Sequence, residues 1–90
     1  MTQQQAFGIA AFSSRQQVMR FDSAMHRRGL HANIISTPRD VATGCGLSVQ
    51  FDLSDTPAVM ETYRQSRPGN LIGFYRVERG RDGRTRVTAL

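Results

Sequence analysis

Cysteine is the side chain in this sequence whose type and setting point to covalent chemistry, and it occurs once, as Cys45 between Gly44 and Gly46. The thiolate rather than the thiol is the nucleophile, and nearby positive charge favours it. Arg39 lies close upstream, and the flanking glycines open the backbone to conformations closed to other residues and to close approach by another molecule. Backbone N–H groups around Gly44-Cys45-Gly46 can form a nest for a thiolate, a persulfide or a bound oxyanion. Arg39 can add a guanidinium, and the hydroxyls of Thr37 and Thr43 can donate hydrogen bonds to the same charge. The opposing interpretation makes Cys45 a small apolar residue packed under a loop, with the glycines serving a turn and Arg39 solvated. Spacing alone leaves both open.

Other chemistries fare worse. His26 and His31 are separated by Gly29 and do not have the spacing of ligands on one helix face, so no metal site is expected. A single cysteine excludes an intramolecular disulfide. No arrangement of serine, histidine and acid suggests acyl transfer, and no pair of carboxylates suggests glycoside chemistry. No cofactor is expected, and whether the chain is an enzyme stays open.

The formal charge of +5 is unevenly spread. Residues 1–78 hold eight arginines against six acids, a net of +2, while residues 79–90 hold Arg79, Arg81, Arg84 and Arg86 against Asp82, a net of +3. All basic residues are arginine, which suits bidentate grip on phosphate or carboxylate, although a bias in codon usage gives the same pattern. Those four arginines are the candidate residues for RNA binding, an interaction that rests on charge because Leu47-Ser48-Val49-Gln50-Phe51 lacks the pattern of an RNA-recognition strand.

The elements that must position these groups follow from the apolar pattern. Ninety residues suffice for one modest core. Ala6 to Phe12 reads as a buried first strand. Ser14 and Gln17 fit a capping box, Val18, Phe21, Ala24 and Met25 keep helical spacing, and Gly29 stands where a helix ends. Leu30 to Ser36 forms a second strand stopped by Pro38, and Leu47, Val49 and Phe51 alternate in a third. Asp55 or Thr56 starts a second helix that ends at Pro68-Gly69, and Leu71 to about Val77 makes a fourth strand. Residues beyond it read either as a two-residue Asp82-Gly83 hairpin with a short edge strand or as a basic tail.

This order predicts an α+β fold, a ferredoxin-like βαββαβ sandwich with a four-stranded antiparallel sheet and two helices on one face. Residues 1–78 make the expected domain and residues 79–90 an arginine-rich extension. Cysteine 45 and the glycines around it then fall in the loop joining the second and third strands, which is longer than a hairpin needs. The start of the chain lacks the features of a signal peptide and no run is long enough to span a bilayer, so a cytoplasmic protein without membrane contact is expected. A homodimer across a sheet edge or face is a further expectation for so small a core.

The run Thr37-Pro38-Arg39 followed by Cys45-Gly46, with Phe12-Ser13-Ser14 before an amphipathic helix and Gly29 before an Ile-rich strand, resembles small bacterial proteins of the selenium/sulfur carrier-like family. The resemblance covers roughly residues 6–77 and is specific in the Thr-Pro-Arg to Cys-Gly stretch. It implies that Cys45 is the carrier atom, with Arg39 and Gly46 in the matching motif, and that the partners are proteins that donate and accept sulfur or selenium. The family's helix bears a glutamate where this chain has Asp22, and the extension after Val77 lies outside the resemblance.

Overall fold

Every position from Phe7 to Phe12 except Gly8 carries an apolar side chain, so neither face of that strand is suited to water. The chain accommodates this by setting the strand in the middle of a sheet. The computed structural model describes residues 5–41 and 46–90. Its elements run β1 (Gln5–Phe12), α1 (Arg15–Arg27), β2 (Ala32–Ser36), β3 (Leu47–Phe51), a 3-10 turn (Leu53–Asp55), α2 (Thr56–Ser66), β4 (Leu71–Arg79) and β5 (Thr85–Ala89).

The architecture is α+β, with two helices and one antiparallel sheet in the order β2-β3-β1-β4-β5. The sheet therefore has five strands rather than the four of the expected sandwich, the hairpin alternative for the basic segment being the one that forms. The fifth is the basic segment, which pairs with β4 from Arg79↔Thr85 to Tyr75↔Ala89. Its hairpin is wider than an Asp82-Gly83 turn. Gly83 N–H bonds to the Gly80 carbonyl, Gly80 N–H to the Arg84 carbonyl, and Asp82 Oδ1 accepts from Arg84 N–H, with Gly83 at φ +80. Arg81 and Asp82 become the central turn residues, and glycine supplies the left-handed step that returns the chain to the sheet.

On one face, Ala10 and Phe12 of β1 and Val49 and Phe51 of β3 pack against Val18, Phe21 and Met25 of α1 and Val59 of α2. Phe21 is the hub of this layer, 5.6 Å from Phe12, 6.1 Å from Tyr63 and 6.4 Å from Phe74 between ring centroids. Gly29 ends α1 at φ +77, where Leu30 N–H reaches the Met25 carbonyl and Gly29 N–H the His26 carbonyl, a Schellman closure that drops Leu30 onto the core. The expected capping box does not form: Ser14 occupies the N-cap without a side-chain bond, and Gln17 Oε1 accepts instead from Gly69 N–H at 3.2 Å. That bond ties the start of α1 to the α2–β4 connection.

Gly8 faces the same layer, and the Phe51 ring occupies the volume a β-carbon would take. Phe51 is itself buried and set edge-on to Phe74, so the ring has nowhere to withdraw. Gly8→Ala should destabilise the protein by about 1–3 kcal/mol. Gly69→Ala, with open space at the β-carbon, should stay within about 0.5 kcal/mol. Urea unfolding of the two variants checks this, and equal stabilities would contradict the packing at Gly8.

Candidate functional site

The loop between β2 and β3 leaves the sheet at Thr37 and returns at Gly46, and those two residues close its base. Thr37 N–H donates to the Gly46 carbonyl at 2.9 Å, and the Thr37 hydroxyl shares a 2.7 Å hydrogen bond with the Ser48 hydroxyl. Ser48 is fully buried, so this pairing satisfies a hydroxyl that would otherwise lie without a partner. Gly46 takes φ +84, a conformation that disfavours any side chain, and nothing lies within 4 Å of where its β-carbon would be. A glycine beside Cys45 is thus a backbone requirement.

From Thr37 the chain makes a tight turn in which Val41 N–H donates to the Pro38 carbonyl at 3.1 Å. Arg39 and Asp40 are exposed on this turn, while Val41 is buried. Val41 joins Ile9, Ala11 and Val77 in a second apolar cluster, flanked by Phe7, Ile35, Ile72, Tyr75 and Val87. Along β1 the members of this cluster alternate with those facing the helices, so Val41 packs on the opposite, helix-free face of the sheet. Among the described residues, Val41 is the loop's contribution to covering that face.

Of the residues singled out by the sequence, Thr37, Arg39 and Gly46 are therefore brought to one end of the helix-free face. Thr43, Gly44 and Cys45 lie outside the described residues. The Thr37 hydroxyl is engaged with Ser48 at the loop base. Two residues that sequence reasoning passed over, Val41 and Ser48, are the loop's anchors. Their signals were a β-branched apolar residue in an otherwise polar turn and a serine on the face of β3 opposite its apolar positions.

Asp22 belongs to a different region. It lies on α1, the helix that covers the other face, with Oδ1 buried and 3.4 Å from His26 Nε2. His31 is exposed beyond the helix end, and among the described residues no group of three His, Cys, Asp or Glu side chains is placed to hold a metal. A groove between the helices is lined by Ala24, Arg27, Arg28, Thr62, Gln65 and Ser66. Within its lining the Thr62 and Ser66 hydroxyls donate to backbone carbonyls and Gln65 donates to Glu61, while Arg27 and Arg28 are its charged groups. Hydrogen bonds from Arg64, then from Gln65, hold the Glu61 carboxyl below its ordinary pKa.

The arginines of the extension are placed at the far end of the sheet. The β1 position that pairs with Ser48 is Ala11 and the one that pairs with Arg79 is Gln5, six rungs apart, or about 20 Å along the strand. No described helix is long and apolar enough to cross a membrane. Comparison with family models matches residues 7–69 to the family described as "Putative Se/S carrier protein-like". No curated protein and no solved structure matches the chain.

The hydroxyl pair at the loop base has a specific energetic signature. Thr37→Val should destabilise the fold by about 1–3 kcal/mol, because it strands the buried Ser48 hydroxyl. Adding Ser48→Ala should recover part of that loss, since both polar partners are then gone. A double-mutant cycle from urea unfolding measures this, and simple additivity of the two changes would refute the pairing.

Proposed function

The chain belongs to the Se/S carrier protein-like family, and from that premise we propose that Cys45 carries a sulfane sulfur or selenium atom from a donor protein to an acceptor. The observation that bears the most weight is the extent of the family match, which takes in the whole loop from Thr37 to Gly46. The geometry around it is supportive. The loop base is closed by hydrogen bonds, Gly46 is held in a conformation suited to glycine, and Arg39 stands exposed on the same loop.

The chemistry requires two exchanges at one sulfur. The Cys45 thiolate attacks the outer sulfur of a donor persulfide; the new S–S bond forms as the donor's S–S bond breaks, and the donor leaves as a thiolate. An acceptor thiolate then attacks the outer sulfur on Cys45, which departs as a thiolate in turn. No net oxidation occurs, and the same pair of steps moves selenium. A lowered thiol pKa assists both, by raising the thiolate fraction for attack and making Cys45 a better leaving group. Arg39 supplies the positive charge that would favour this state, and a free thiol of this kind suits the reducing cytoplasm.

The fold assigned to this function is a ferredoxin-like unit made of β1 to β4 with α1 and α2, extended at one edge by β5. Its sheet order is consistent with that assignment.

Incubated with a cysteine desulfurase and free cysteine, the wild-type protein should gain one sulfur by intact mass, reversibly by reduction, and Cys45→Ser should gain none. Alkylation of folded wild type should show a midpoint below the ~8.5 of a free thiol, and Arg39→Gln should move it upward. Labelling that waits for unfolding, with no sulfur uptake, would overturn the carrier reading and leave a structural cysteine in a noncatalytic interaction module.

A further inference from the structure

We propose that the β4–β5 ribbon is a docking surface for the phosphate backbone of single-stranded nucleic acid, separate from the cysteine loop. The ribbon carries Arg76, Arg79, Arg81, Arg84 and Arg86 against two acids, and each acid is already engaged. Glu78 pairs with Arg76 at 3.1 Å and Asp82 with Arg84 at 3.8 Å. Arg86 lies directly across from Glu78 in the ladder, yet the carboxylate is turned to Arg76. Arg79, Arg81 and Arg86 thus have no carboxylate within ion-pair distance among the described residues, and all three are exposed. They follow or lie beyond residue 69, where the family match ends.

Their arrangement selects the kind of polyanion. Alternation along the strands puts Arg79 on the helix-free face and Arg86, opposite Glu78, on the other, while Arg81 stands in the turn. A chain that contacts all three must bend around the end of the ribbon. Duplex DNA, stiff over about 150 base pairs, does not bend so sharply without cost. Insertion of the ribbon into a major groove is also blocked, because β4 stays paired with β1 as far as Arg79, leaving only Gly80 to Arg84 beyond the sheet. A single strand is flexible enough. The Arg79 guanidinium already lies 5.8 Å from the Phe7 ring centroid, and the half-buried Tyr75 shares that face, which gives bases an apolar and aromatic margin to rest on.

Three uncompensated arginines set the salt dependence. With about three phosphates neutralised, log K should fall against log salt with a slope near −2, or about twentyfold in affinity between about 50 and about 200 mM salt. Fluorescence anisotropy of a labelled oligouridine with the full chain reads this directly. The triple variant Arg79→Gln, Arg81→Gln, Arg86→Gln should lose at least about tenfold in affinity at the lower salt and most of the slope. A matched triple on α1, Arg15→Gln, Arg20→Gln, Arg27→Gln, removes the same charge from another surface and should retain binding. Should loss of the Phe7 contact unfold the ribbon triple, as seen by circular dichroism, the Arg81→Gln, Arg86→Gln pair serves in its place. Equal losses in the two triples would overturn the ribbon assignment, and so would a flat salt response. Polyglutamate binding as tightly as oligouridine would replace it with an acidic protein partner, and a duplex binding as tightly would refute the single-strand geometry. Binding by Cys45→Ser should match wild type, so this result stands apart from the carrier chemistry.

Discussion

β1 lies between β3 and β4 with Ile9, Ala10 and Ala11 all fully buried, so the centre of the sheet must be covered on both sides. The helices supply one cover. On the other face there is no helix among the described residues, and cover comes from side chains of the strands themselves together with Val41 from the β2–β3 loop. The position of the turn from Pro38 to Val41 is therefore a consequence of core formation. Burying a valine side chain is worth about 1.5–3 kcal/mol, whereas fixing the backbone costs about 1–2 kcal/mol per residue. Val41 alone does not hold even the turn from Pro38 to Val41 in place. Pro38, whose φ is fixed by its ring, and the Thr37 bonds to Gly46 and Ser48 supply the rest.

The same strand sets the spacing on the helical side. Because Gly8 has no side chain, the Phe51 ring can lie directly over β1, and from there it meets Phe74, which in turn meets Phe21 and Tyr63. α1 and α2 are thus joined through aromatic edges as well as through direct packing. Gln17, reaching Gly69, adds a polar tie at the outer end of the same layer.

Much of this was legible in the residues. Helical spacing in Val18, Phe21, Ala24 and Met25 located the buried stripe of α1, and Gly29 marked its end, because both signals are local. The unbroken apolar run of β1 announced burial on both faces, but which segment would cover the second face depended on contacts between Val41 and strands distant in sequence. Gln17 shows the same limit: its spacing from Ser14 fits a capping box, yet a tertiary partner at Gly69 took its acceptor. At the basic end, Asp82-Gly83 correctly signalled a hairpin, while the turn that formed was decided by the Gly80–Arg84 and Asp82–Arg84 bonds. At the loop, the glycine at 46 was recognisable as a conformational requirement, while the Thr37 hydroxyl bond to Ser48 depended on a partner eleven residues away.

The separation of the ribbon charge from the base of the β2–β3 loop limits what each can do to the other. Gly46, one residue from Cys45, sits at the end of the sheet where β3 begins, and the ribbon arginines sit beyond the rung of Gln5. The intervening span of about 20 Å along β1 is more than two Debye lengths at physiological ionic strength. Field from Arg79, Arg81 and Arg86 is screened well before it reaches Thr37 and Gly46 at the loop base. On the proposed carrier reading, charge that favours a Cys45 thiolate would have to come from nearer groups such as Arg39, even though most of the chain's excess positive charge lies elsewhere. The proposed ribbon surface would therefore bear on the proposed carrier chemistry only through the partners it brings near.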